Sequence, residues 1–228
     1  MMNCRQLFLN PVLRRLHPFT IFLLALFLII TAGVSGQARA ETFRVMHVID
    51  GDTIILPNHV HVRYIGINTP EIAHDMKPCE YFGNEAMEFN KNLVLGKDVR
   101  LEFDKERHDS YGRSLAYVYL DDGTVVNAAL VREGYAYVLH LLPNVKYYDR
   151  FCALQREAIR NERGMWPGLF ETSSGLYTGN RGSKKFHRLT CPYGKRISPK
   201  GVVRFRSMKE AFMKGYSPCK RCLGTGTK

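Results

Sequence analysis

Acidic residues are absent from the first 40 positions, and residues 172–228 hold a single one, Glu210, against 14 Lys plus Arg. Long apolar stretches are also missing. The longest, Phe19 to Val34, falls short of the ~20 residues that a membrane-spanning helix needs. It follows Arg5, Arg14 and Arg15 and precedes Ala38-Arg39-Ala40, the order of a secretory leader with an A-x-A cleavage site. Residues 1–40 are therefore expected to be a signal peptide and Glu41 the mature N-terminus, an uncleaved anchor being the alternative. No internal repeat is present, which excludes a solenoid. The mix of 45% hydrophobic and 24% charged residues over 228 positions excludes global disorder and leaves room for one or two domains.

What remains is lopsided in charge. The formal net charge is +12; without the four leader arginines it is +8, divided as −5 over residues 41–171 and +13 over residues 172–228. Such asymmetry points to two modules, and the basic one attracts a polyanion, either nucleic acid or an anionic membrane surface. Cysteine is sparse: with Cys4 in the leader, Cys79, Cys152, Cys191, Cys219 and Cys222 remain. An odd count cannot pair completely within one chain.

Short runs of alternating apolar and polar residues, Phe43–Val48, Thr53–Leu56, Val60–Ile65, Val99–Phe103 and Leu115–Tyr119, predict strands. Helical spacing over Phe82–Leu95, Asn127–Glu133 and Tyr148–Asn161 predicts three helices, the first two stopped by Gly96 and Gly134. Five strands with interspersed helices suggest a small barrel carrying helices. Residues 167–183, rich in Gly, Ser and Thr, read as a linker. Beyond them Val202–Phe205 is strand-like, and Ser207-Met208-Lys209-Glu210 has capping-box spacing, opening a helix that Gly215 closes.

Asp50, Asp52 and Glu71 stand at or beside turns, with Arg63 and Arg113 nearby in the pattern. Carboxylates could hold a hard cation and position water, and guanidiniums could hold a phosphate. An acid in a turn is more often only a turn former. The order of motifs adds more: Val48-Ile49-Asp50-Gly51-Asp52-Thr53, Val62 through Glu71, Phe103-Asp104-Lys105, Asp109-Ser110-Tyr111-Gly112-Arg113, Leu115-Ala116-Tyr117, Asn127–Gly134 and Trp166. Throughout residues 41–166 this series closely resembles the staphylococcal thermonuclease family. The resemblance implies an OB-fold barrel with three helices and a Ca²⁺-dependent endonuclease acting on DNA and RNA. It further implies that Asp52 ligates calcium directly with the Thr69 carbonyl, that Asp50 lies close by, and that Glu71 is the general base or water-orienting group. Arg63 and Arg113 would bind the phosphate and Tyr111 would contact the nucleotide. Asn68 departs from the pattern by standing where a second aspartate ligand is found, so a carbonyl oxygen replaces a charge. Ser110 and His140 also depart, in place of a lysine and a tyrosine that touch the nucleotide.

His187-x3-Cys191 and Cys219-x2-Cys222 have the spacing of a closed tetrahedral zinc site. A disulfide among these cysteines is the alternative in an oxidising compartment. The segment Phe186–Cys222, ending Gly-Tyr-Ser-Pro-Cys-Lys-Arg-Cys, resembles the metal-binding domain of the Ada methylphosphotriester repair protein, and the likeness extends over residues 178–224. It implies a small α+β zinc fold that contacts DNA backbone. His187 occupies the place of that family's methyl-accepting cysteine, so the alkyl-transfer chemistry does not carry over.

The expected organisation is thus a leader, a nuclease domain over residues 41–166, a linker, and a basic zinc-binding domain over residues 184–228 with a metal-held core of its own. Cys79 and Cys152 are left over, and a disulfide between them is one arrangement that fits their number. The expected protein is a monomeric, secreted or periplasmic nuclease of DNA and RNA with catalytic Ca²⁺ and structural Zn²⁺. A non-catalytic, envelope-associated nucleic-acid-binding protein is the alternative, and a zinc-domain repair factor is disfavoured by His187 and the leader.

Overall fold

The computed structural model describes residues 41–73, 78–171, 173 and 175–223; the expected leader lies outside them. Residues from Glu41 onward form one compact unit. Six strands, β1 (Thr42–Arg44), β2 (His47–Asp50), β3 (Thr53–Leu56), β4 (Val60–Tyr64), β6 (Asp98–Glu102) and β7 (Ser114–Leu120), build one sheet in the order β1-β6-β7-β4-β3-β2. No ladder joins β2 to β1, which corrects the expectation of a hydrogen-bonded barrel. The two edges are instead halves of one bent segment: Val45 N–H donates to Lys97 O, whereas Met46 N–H donates to Ile55 O. The single strand expected over Phe43–Val48 is thereby divided. Two further strands, β5 (Ile67–Asn68) and β8 (Tyr137–Val138), pair antiparallel apart from the main sheet.

Three helices brace the sheet within a residue or so of their expected bounds: α1 (Gly83–Val94), α2 (Val126–Arg132) and α3 (Tyr148–Arg160). Each buries a polar side chain that is fully satisfied, as burial demands. Asn90 of α1 accepts from Tyr64 OH at 3.0 Å and donates to Asp50 O at 3.0 Å, tying the helix to the Asp50-Gly51-Asp52 turn. Asn127 of α2 accepts from Val118 N–H and donates to Ile65 O. Gln155 of α3 accepts from Val138 N–H at 2.7 Å and donates to Phe212 O at 2.6 Å.

That last bond crosses into the C-terminal part. There β9 (Tyr177–Asn180), β10 (Lys185–Arg188), β11 (Val202–Phe205) and β12 (Ser217–Pro218) form a second sheet in the order β11-β9-β10-β12. Short helices α4 (Trp166–Glu171), α5 (Pro192–Lys195), α6 (Met208–Met213) and α7 (Lys220–Leu223) complete it. The capping box holds in part: Ser207 Oγ accepts from Glu210 N–H at 3.1 Å, while the Glu210 carboxylate takes Arg206 N–H.

Two expectations change here. Residues 167–183 contain most of α4 and the inner strand β9, not a plain linker; polar composition hid a strand that pairs with β10 through a short turn and with the more distant β11. The tail also has no separate core. Tyr137, Ala158, Ile159, Met165 and Trp166 share one buried cluster with Tyr177, Phe186, Phe205, Ala211, Phe212, Tyr216 and Leu223. The Trp166 and Phe212 rings meet edge-on at 4.9 Å.

Candidate active site

A tight turn between β2 and β3 carries the acids. A Cβ on Gly51 would meet the Thr69 side chain at 2.7 Å, so glycine lets the turn lie against residue 69. Asp50 Oδ1 accepts from Asp52 N–H at 2.9 Å, and Asp52 Oδ2 accepts from Thr69 N–H at 2.8 Å. Arg63, opposite Thr53 in the β3–β4 ladder, places Nη1 2.9 Å from Asp52 Oδ2. Asp52 is 4% exposed. Burial pushes its carboxyl up to about 7, opposed by Arg63 and the Thr69 amide and reinforced by the charges of Asp50 and Glu71.

Asn68 joins the same network. Its Oδ1 accepts from Arg63 Nη2 at 3.1 Å; its Nδ2 donates to Thr69 O at 2.6 Å and to Tyr137 OH at 2.9 Å. Arginine only donates and a carbonyl only accepts, so the orientation of this amide is determined by its partners. Both oxygens expected on calcium from residues 68 and 69 therefore already carry a hydrogen bond. Arg63 also donates to the carbonyls of Tyr64 and Ile67.

Glu71 follows Pro70 on the segment beyond β5. Its backbone abuts the start of α1, where a Cβ on Gly83 would collide with the Glu71 carbonyl. Its carboxylate accepts from Lys220 Nζ at 2.6 Å. Lys220 was not foreseen as a site residue, because in Cys219-Lys220-Arg221-Cys222 it reads as a solvated residue of a metal knuckle.

Arg113 precedes β7, whose parallel register with β4 pairs Val62 with Ser114 and Arg63 with Leu115. Side-chain alternation then brings both arginines to one side of the sheet. Nε and Nη2 of Arg113 both reach Asp109 Oδ2 at 2.8 Å. Against the burial that raises it, these bonds hold the Asp109 carboxyl below its ordinary range. Tyr111 is 84% exposed, and Arg113, Tyr111, His59, His61 and His108 line an open cleft. His140 packs edge-on to Tyr148 and is held below the usual histidine range by burial.

The second cluster is compact. His187 and Cys191 flank the end of β10, Cys219 and Cys222 flank the start of α7, and one ligand atom from each lies within 4.8 Å of all the others. Burial, and then the Cys191 and Cys219 sulfurs, push the Cys222 thiol up to about 12. Three soft sulfurs and one imidazole nitrogen so crowded fit Zn²⁺, whose charge would favour the thiolates. Cys79 and Cys152 are free thiols, which overturns their pairing. Cys79 Sγ faces the carbonyls of Glu71 and Glu80, whereas Cys152 is buried with Ile54, Val62, Val118 and Phe151 in the core of the main sheet, beside Gly215.

Comparison with known proteins finds a match for each of these two parts of the chain. A family described as "Staphylococcal nuclease homologue" matches residues 61–168, and "Metal binding domain of Ada" matches residues 171–224. Thermonuclease of Staphylococcus hyicus is 39% identical over 139 residues, covering 60% of this chain and 81% of that protein. The chain belongs to the staphylococcal nuclease family. Within this family another relative, endonuclease YncB of Bacillus subtilis, is 41% identical over 152 residues, covering 64% of this chain and 69% of its own length. Among the described residues no helix is long and apolar enough to cross a membrane.

Proposed function

We propose that this nuclease-family protein is an exported endonuclease that hydrolyses phosphodiester bonds of DNA and RNA with calcium, and that its zinc-bearing C-terminal part grips the polyanion. The observation that carries the reading is the convergence of Asp50, Asp52 and Glu71 beside Arg63, an assembly whose central acid is raised by burial and by like charge. Hard oxygen donors under mutual repulsion fit a hard cation. Bound calcium would supply Lewis-acid polarisation of a phosphoryl oxygen.

The protein's own residues do the rest. Asp52, with Asp50 behind it, offers the cation its carboxylate. Arg63, anchored to Asp52, to Asn68 and to two carbonyls, keeps the pocket rigid and its positive charge oriented. Glu71, carried on a segment held by Gly83, takes a proton from a water and aims it. Arg113, braced by Asp109, meets the phosphate from the neighbouring strand, with Tyr111 alongside for a base. Zinc at His187, Cys191, Cys219 and Cys222 would hold the basic tail in shape. Export rests on the leader pattern of residues 1–40. Incubating residues 41–228 with DNA and RNA, in calcium or in a calcium chelator, should give cleavage only with calcium. Binding without cleavage in both would favour the non-catalytic alternative.

The metal assignment has its own test at Asn68. Asn68→Asp adds a charge beside Asp50 and Asp52 and removes the amide donor from the Thr69 carbonyl, leaving that oxygen for the cation. Calcium should half-saturate activity at a lower concentration, while the rate at saturating calcium changes less. A titration curve that does not move left would take position 68 out of the calcium site.

A further inference from the structure

Both arginines expected to bind phosphate carry a carboxylate partner in the free protein: Arg63 pairs with Asp52 and also bonds Asn68, and Arg113 pairs with Asp109. A cation standing on Glu71 comes from the zinc part, 149 positions away. Packing sets this contact from both sides. Pro70, which precedes Glu71, lines one small apolar pocket with Pro218 and Leu223, which flank Lys220. The knuckle is held by Cys219 N–H donating to Phe186 O and by Arg188 Nε donating to Cys222 O. Side-chain exposures of 61% for Lys220 and 35% for Glu71 leave the pair in water, where such a bridge contributes little and exchanges readily.

Taking Glu71 as the water-orienting group, we propose that Lys220 is a substrate-binding residue of the nuclease centre, parked on Glu71 in the free protein and transferred to a phosphate oxygen when nucleic acid binds. A water held by Glu71 lies within hydrogen-bond reach of its carboxylate and faces phosphorus. An ammonium 2.6 Å from Oε1 therefore stands beside the reacting phosphate, and a long flexible stem lets it move there. The exchange replaces a carboxylate partner by a phosphate oxygen. The zinc knuckle then does more than tether: it adds Lys220 to Arg113 in the phosphate-binding set of a centre lined by Asp50, Asp52, Arg63 and Glu71.

The test uses the full chain with calcium and a DNA oligonucleotide. Lys220→Ala should raise KM about tenfold, the scale of a lost hydrogen bond to a charged group, with kcat not reduced; Lys220→Arg should restore most of the affinity. In the Glu71→Gln background, adding Lys220→Ala should weaken duplex DNA binding and make its logarithmic salt slope shallower by about 0.9, one phosphate contact. An unchanged KM and salt slope overturns the inference, and so does a fall in kcat at constant KM, since that would make Lys220 a support for the base. Failure of the underlying reading is distinct: a wild-type protein that does not cleave, or Glu71→Gln with full activity, removes the base before Lys220 is considered.

Discussion

Glu71→Gln is expected to lower turnover by at least ~10²-fold, the scale of a lost general base. The substitution is conservative because the amide oxygen of glutamine can still accept from Lys220, while the side chain loses the ability to take a proton. Substrate affinity should change little, since phosphate binding is assigned to cationic side chains. Single-turnover rates at saturating DNA separate the two quantities. A variant that cleaves as fast as the wild type would remove Glu71 as the base and shift attention to the acids of the Asp50-Gly51-Asp52 turn.

Deleting residues 178–228 should destabilise the nuclease part severely. Trp166 and Ile159 are almost fully buried and Tyr137 nearly so, against partners that the deletion removes. Exposing large apolar side chains costs about 1.5–3 kcal/mol each, against a total stability of about 5–15 kcal/mol for a typical domain. Gln155 would lose the Phe212 carbonyl and Tyr148 the Gly215 carbonyl, adding buried groups without partners. The urea midpoint of the truncated chain should fall well below that of the full chain, or the fragment should aggregate. Equal midpoints would show that the barrel-like half stands alone.

Much of the site could be read from the chain because its parts are local. Asp50, Gly51 and Asp52 form one turn, Arg63 sits in an alternating strand, and Ser207 with Glu210 forms one helical turn; each is decided by neighbours in sequence. Helix bounds followed for the same reason, since Gly96, Gly134 and Gly215 end their segments at positive φ. What escaped was non-local. β9 has Thr178, Gly179 and Asn180 in a strand that looks like linker; a Cβ on Gly179 would strike Phe205 and Tyr216, contacts that no local pattern announces. The two-residue strands β5 and β8 are too short for alternation to register. The hydrogen bonds of Asn68 to Arg63 and Tyr137 reach two other strands, beyond what its neighbours in sequence show. A disulfide between Cys79 and Cys152 suited their number but not their surroundings, one thiol lying beside Glu71 and the other in the sheet core.

The cluster around Trp166 has a consequence for the newly made chain. Its contributors run from Tyr137 to Leu223, so while the polypeptide is still being synthesised the cluster cannot close until the chain has emerged through Leu223. The sheet and its first three helices can collapse early from contacts within their own stretch of sequence, but Tyr137, Ile159 and Trp166 stay partly wet until residues through Leu223 emerge. Folding is then two-staged, with a consolidating step that waits on the second sheet and its helices.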